Sequence, residues 1–74
     1  MMTIEQIQPF LRAQPFRALK VVTARNGTFD VAAPGHVLLT TTQLIIGRDL
    51  VGDGVPAKVS TIPLVQLVRI EPAD

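Results

Sequence analysis

The chain has 74 residues, 47% of them hydrophobic, and its seven lysines and arginines against six acidic residues give a net charge of +1. It contains a single histidine and no cysteine, tryptophan or tyrosine, which excludes disulfides, thiolate zinc sites and histidine clusters. This length predicts one small domain over residues 1–74. Such a domain buries only about 60% of its unfolded surface and gains from a further source of stability such as a partner subunit.

The N-terminal residues do not have the pattern of a targeting signal. Met1-Met2-Thr3 is followed by Glu5 and a polar pattern, whereas a signal peptide needs a basic start and a long apolar run. No apolar run in the chain approaches the length of a membrane span. Together with the lack of cysteine, these features lead us to expect a cytoplasmic protein that does not contact membranes.

The first segment predicts a helix over about residues 4–13. Thr3 is a suitable N-cap, and Gln6 lies three residues further on, as a capping box requires. Apolar residues recur at helical spacing and form one stripe, made of Ile4, Ile7 and Leu11. Pro9 interrupts this pattern, so either the helix kinks there or a first turn ends near Gln8 and a second begins at Pro9.

Alternating apolar and polar residues on both sides of Asn26-Gly27 predict a β-hairpin. Two registers compete, because a two-residue loop would pair Val22 with Val31 and a three-residue loop would pair Val21 with Val31. The three-residue loop is favoured, since it places four apolar side chains on one face of the hairpin, those of Leu19, Val21, Phe29 and Val31.

The remaining sequence predicts further short strands. Pro63, followed by Leu64 and Leu67, indicates a single tight helical turn before the last strand. Glycine, aspartate and proline between residues 48 and 57 predict a long mobile loop. The predicted strands cover about residues 17–24, 28–33, 37–41, 43–47, 58–62 and 67–71.

This order of elements predicts an α+β fold that is mainly β. We expect a short N-terminal helix followed by a five- to six-stranded antiparallel small barrel of the SH3-like or Sm-like type, or a strongly bent sheet. The inner face is expected to pack against the helix residues Ile7 and Leu11 and to consist of Leu19, Val21, Phe29, Val31, Ile46 and Ile70.

Several segments of the chain resemble a group of uncharacterised small bacterial proteins. The residues that carry this resemblance are Thr3-Ile4-Glu5, Leu11-Arg12-Ala13-Gln14-Pro15-Phe16-Arg17, Asn26-Gly27 with Phe29-Asp30-Val31, Pro34, Gly54-Val55-Pro56 and Leu67-Val68-Arg69-Ile70-Glu71. The usual pattern of the group is a short helix, a Pro-Phe-Arg-Pro-Phe stretch, an Asp-Gly-Arg turn and a final Ile-Glu strand. This chain departs from it at Pro9, at Ala18-Leu19 and in the Arg-Asn-Gly-Thr turn. The resemblance implies a bacterial protein but assigns no functional residue.

A helix before the strands and an Asn-Gly turn after the first strand are also similar to bacterial Sm-like RNA chaperones. That resemblance implies a five-stranded barrel. The aromatic residue and the basic-histidine motif of the RNA sites in that family are absent from this chain, so the resemblance concerns architecture.

The residues suited to catalysis or metal binding are few. His36 would need an orienting partner, for which Asp30 is the one candidate, and we interpret it as a surface loop histidine. Asp49 and Asp53 lie among glycines, but the glutamate that completes a calcium loop is missing. We therefore expect no enzymatic activity, catalytic residue, metal site or cofactor.

Two functional hypotheses follow. The first is a non-enzymatic protein-interaction or self-associating module, in the simplest case a homodimer, because Val22 and Ile45 are apolar residues on otherwise polar strand faces. The second is a nucleic-acid-binding Sm-like barrel, suggested by an uneven distribution of basic residues toward the N-terminal part, at Arg12, Arg17, Lys20 and Arg25. The interaction residues predicted from the sequence are Phe16, Arg17, Lys20, Val22 and Arg25.

Overall fold

The computed structural model describes residues 1–50 and 55–73, without the side chains of residues 49 and 50. The described elements are helix α1 (Ile4–Leu11), strands β1 (Leu19–Thr23), β2 (Thr28–Val31), β3 (Val37–Leu39), β4 (Gln43–Leu50), β5 (Pro56–Pro63) and β6 (Leu67–Pro72), and 3-10 turns at Pro34–His36 and Leu64–Gln66. One short N-terminal helix and a mainly antiparallel β structure confirm the coarse prediction of the fold. The strands form two three-stranded sheets, β2-β1-β6 and β3-β4-β5, rather than one closed barrel.

Helix α1 begins at the predicted capping box. The Thr3 hydroxyl oxygen accepts a hydrogen bond from the Gln6 amide at 3.2 Å, and the Gln6 side-chain oxygen accepts one from the Thr3 amide at 2.9 Å. Pro9 lies inside one continuous helix, so the interpretation as two separate turns is wrong. The helix ends at Leu11, two residues before the predicted end. The apolar stripe of the helix faces the sheets, and Ile7 at its centre is fully buried.

The first sheet is built around β1, whose side chains alternate between buried and half-buried positions. On β2, Val31 lies opposite Leu19 and Phe29 lies opposite Val21. Both registers predicted for this hairpin are therefore wrong. In the favoured prediction Val31 pairs with Val21, whereas in the structure it pairs with Leu19, two residues earlier on β1. A shift of two residues leaves every side chain on its predicted face.

The displaced register is explained by the loop at residues 23–27, which Thr23 closes. The Thr23 amide donates to the Gly27 carbonyl at 3.0 Å, and the Thr23 hydroxyl donates to the same oxygen at 2.7 Å. The hydroxyl oxygen also accepts from the Asn26 amide at 3.0 Å. Gly27 has a φ of 78°, a conformation that glycine adopts without steric cost. These bonds stabilise a wider loop than the Asn-Gly pair alone predicts.

Strand β6 pairs with the other side of β1 and contains an irregularity. Val22 pairs with Arg69 and Thr23 pairs with Leu67, so Val68 is an extra residue at the point where the register shifts. This extra residue lets Leu67 and Ile70, three positions apart, both face the core.

The second sheet has β4 at its centre, between β3 and β5. On its inner face Ile46 lies between Val37 and Ser60, and a neighbouring row joins Leu39, Leu44 and Ile62. Both β4 and β5 are longer than predicted: residues 48–50 and 56–57, assigned to a mobile loop from the sequence, are paired in this hairpin. Val55 is exposed and lies outside the strands, and residues 51–54 of that loop lie outside the described residues.

Gly47 is the point where β4 and the start of β5 come closest together. A Cβ atom on Gly47 would lie 2.5 Å from Cγ of Pro56 and 3.5 Å from the carbonyl oxygen of His36. Pro56 pairs with Leu50, three positions along from Gly47, so the hairpin must curl to bring the proline ring over the glycine. Glycine is required at this position because of that close approach.

The core lies between the two sheets and the helix and is aliphatic. Its buried apolar residues are Ile7, Leu19, Val21, Val31, Leu44, Ile46, Ile62, Leu64, Leu67 and Ile70. All three phenylalanines of the chain are half-buried and pack against this core, as does Leu11. Phe29 therefore lies on its predicted face and contacts the core, but it is only half-buried.

Candidate interaction surface

The outer face of the first sheet carries two of the predicted interaction residues, Lys20 and Val22. Lys20 lies between Asp30 on β2 and Glu71 on β6. The Arg69 side chain donates to the Glu71 carboxylate at 3.1 Å, and cross-strand neighbours of opposite charge favour Lys20 at this position. Val22 lies between Thr28 and Arg69 and is half-buried. This face is therefore mixed and polar, with one apolar residue at its centre.

Of the other three predicted interaction residues, Arg25 lies apart from Phe16 and Arg17. Arg17 precedes β1 and Arg25 follows it, at opposite ends of a strand that is about 17 Å long. Arg17 forms the rim of a depression of about 240 Å³ between the helix and the sheet, whereas Arg25 lies exposed in the hairpin loop. Phe16 is half-buried against the core. The structure does not bring these three side chains into one surface.

A different apolar surface lies on the outer face of the second sheet. Leu38 on β3 pairs directly with Ile45 on β4, and Val59 on β5 lies diagonally from Ile45 through its pairing with Gly47. Leu38 is 60% exposed and Val59 is 63% exposed, while Ile45 between them is half-buried. Aliphatic side chains therefore cross all three strands, and we call these three residues the aliphatic row.

The aliphatic row itself lines a shallow groove of about 350 Å³ on this face. The curled start of β5, at Pro56, forms one wall, and the 3-10 turn at Gly35 and His36 forms another. Gly47 lies at its floor, because the missing side chain leaves room between Pro56 and the His36 carbonyl. No lysine, arginine, aspartate or glutamate lines the groove among the described residues. A site of this kind favours apolar side chains over charged ligands.

His36 is half-buried on this groove rather than in a solvated loop. Asp30, the partner considered for it, is exposed on β2 and pairs with Lys20 on the outer face of the first sheet. Within the described part of the chain, no three His, Asp or Glu side chains are grouped as a metal site would need. The side chains of Asp49 and Asp53, considered as a cation loop, lie outside the described residues.

Two further valines are exposed away from this face. Val65, in the second 3-10 turn, is 69% exposed, and Val68, at the irregularity in β6, is 49% exposed. They are exposed valines elsewhere in the fold with which the aliphatic row can be compared.

Sequence reasoning found Ile45 but missed Leu38 and Val59. Val37, Leu38 and Leu39 are all apolar, so their sequence does not indicate which one faces outward; the pairing with β4 does. Val59 falls in a predicted strand, but the face it occupies depends on its pairing with Gly47.

Comparison with family models, with curated proteins and with solved structures finds no match to this chain. No helix among the described residues is long and apolar enough to cross a membrane.

Proposed function

We propose that this protein is a non-enzymatic protein-interaction module that associates with itself. The observation that carries the proposal is the aliphatic row with its uncharged groove on the outer face of the second sheet. Exposed apolar patches of this kind mark protein interfaces, because covering them removes apolar surface from water.

The character of the core supports the same proposal. Its buried side chains are aliphatic, and no phenylalanine is fully buried. The chain has no cysteine for a disulfide. A domain of this size has a stability near the low end of the usual range, about 5 kcal/mol. Association of folded copies adds stability by mass action, without further covalent or metal links.

We also propose that the two sheets are the halves of an SH3-like or Sm-like small barrel. Supporting this, β2 and β3 follow each other with a short 3-10 turn between them and lie in different sheets, as the halves of one bent strand would. The first strand pairs with the last, and a 3-10 turn precedes the last strand. This element order underlies the second functional candidate, a nucleic-acid-binding module.

Nucleic-acid binding is less well supported than self-association. Its basic residues lie at both ends of β1, and Lys20 is placed between two carboxylates. Phosphate-binding surfaces need a clustered basic patch. If the alternative holds, single-stranded RNA binds with an affinity that falls steeply as salt concentration rises; we expect no such binding.

Sedimentation velocity over a range of chain concentrations tests the proposal. We expect the weight-average sedimentation coefficient to rise from the monomer value to the dimer value between about 5 and 500 µM, the range in which a weak dimer forms. A monomer value throughout this range would refute self-association.

A further inference from the structure

Asn26 and Gly27 combine two features that favour a chemical change of the asparagine. Asn26 is the single asparagine of the chain, and the residue after it is glycine. The backbone nitrogen that follows an asparagine attacks the side-chain amide carbon most readily when the next residue has no side chain to hinder its approach. Both residues are exposed in the loop between β1 and β2. The loop therefore presents a candidate modification site.

The structure leaves both reacting groups available. The Gly27 amide donates no hydrogen bond to any described residue, so attack by its nitrogen breaks no contact. The Asn26 side-chain nitrogen, which is the leaving group, donates to the Gln66 side-chain oxygen at 3.5 Å, close to the longest distance of a hydrogen bond. Because this contact is weak and exposed, it does not protect the amide group of Asn26.

We propose that Asn26 deamidates spontaneously in the folded protein and that isoaspartate, one of the two products, opens the loop closed by Thr23. The Gly27 amide loses its proton to hydroxide, and its nitrogen bonds to the side-chain carbonyl carbon of Asn26. The side-chain nitrogen takes a proton from water and leaves as ammonia. Water then opens the cyclic imide: its attack on the side-chain carbonyl yields aspartate, and its attack on the backbone carbonyl yields isoaspartate. The net reaction consumes water and releases ammonia, without an oxidant or a reductant.

Thr23 makes the loop sensitive to the isoaspartate product. Its hydroxyl accepts from the Asn26 amide at 3.0 Å and donates to the Gly27 carbonyl at 2.7 Å, so it spans the backbone of Asn26. An isoaspartate adds a methylene carbon to the backbone between these two groups, and both bonds then cannot keep their geometry. The aspartate product leaves the backbone unchanged and places a carboxylate beside Gln66, whose side-chain amide can turn to donate to it.

Peptide mapping by mass spectrometry tests the modification site. The folded chain is kept at physiological pH and temperature and is compared with the same chain unfolded in guanidinium chloride. We expect the rate of Asn26 loss in the folded chain to lie within about tenfold of the rate in the unfolded chain, because exposed loops gain little protection from folding. N26Q is the matched control, since its longer side chain would have to close a larger ring. We expect no deamidation at this position of N26Q in the same period.

Thermal unfolding of the separated products tests the effect on the loop. We expect the isoaspartate form to unfold about 4–8 °C below the unmodified chain, the shift that loss of a single hydrogen bond causes in a domain of this size. N26D, which equals the aspartate product, should unfold within about 2 °C of the unmodified chain. T23V removes the hydroxyl beforehand, so isoaspartate formed in T23V should lower the midpoint by less than about 2 °C.

Each step has an outcome that overturns it. A rate of Asn26 loss that is more than about tenfold lower in the folded chain than in the unfolded chain overturns the modification site. An isoaspartate form as stable as N26D overturns the opening of the loop. An equal loss of midpoint in T23V and in the wild type overturns the part assigned to Thr23. Deamidation is independent of the proposed self-association, because the loop belongs to the first sheet and the aliphatic row to the second.

Discussion

Val21 has the most central position of the residues in the first sheet. It lies opposite Phe29 on β2 and opposite Ile70 on β6, and only 1% of its surface is exposed. On the other face of the same strands, Lys20 lies between Asp30 and Glu71. Neighbouring residues of one strand thus have opposite environments, because successive side chains point to opposite faces.

This alternation predicts different costs for two adjacent substitutions on β2. Phe29→Ala removes a ring that packs against the core but remains partly exposed, so we expect a loss of about 2–3 kcal/mol in the free energy of unfolding, below the cost at a fully buried site. Asp30→Ala, at an exposed position, should cost less than about 1 kcal/mol. Urea denaturation of the two variants measures both, and equal losses would contradict the assigned faces.

At the scale of elements, the hairpin of β4 and β5 shapes the candidate surface. These strands pair from Gln43 and Pro63 to Leu50 and Pro56, and the hairpin curls so that Pro56 covers Gly47. The curl makes one wall of the groove, and it depends on the absence of a side chain at a single position.

Gly47→Ala is therefore expected to destabilise the protein by about 1–3 kcal/mol, the usual cost of forcing atoms into a packed region. The added Cβ would meet the Pro56 ring at 2.5 and 2.8 Å. Gly35→Ala is the control, because a Cβ there meets no atom within 4 Å and the residue has no positive φ. It should be neutral or stabilising by up to about 1 kcal/mol. Thermal unfolding of both variants provides the comparison; similar stabilities would mean that the close approach at Gly47 is not tight.

The elements show how far the sequence determines the fold. The capping box at Thr3 and Gln6 and the alternation in β1 are local signals, and they located the helix start and the buried face correctly. The first hairpin register depended on the hydroxyl of Thr23 bonding across the loop, which spacing alone does not reveal. The ends of β4 and β5 depended on cross-strand pairing, which overrides the turn tendency of glycine, aspartate and proline. The sequence does not reveal the candidate surface for the same reason. Only the cross-strand pairing of Leu38 with Ile45 and of Val59 with Gly47 identifies the outer face on which they lie.

At the scale of the whole molecule, two small sheets and one helix enclose an aliphatic core, and one sheet leaves an apolar face in water. If folded copies associate as we propose, folding and association are linked, because a reaction that consumes the folded chain stabilises it. The stability of this protein should therefore depend on its own concentration.

The thermal unfolding midpoint as a function of chain concentration tests self-association most directly. Far-UV circular dichroism is suited to this measurement, since the chain has neither tryptophan nor tyrosine. We predict that the midpoint rises by roughly 5 °C between about 5 and 500 µM chain, as expected when a weak dimer forms in a domain of this size. A variant with lysine at both exposed positions of the aliphatic row, L38K V59K, should show no such rise. A wild-type midpoint that is the same at every concentration would contradict the account.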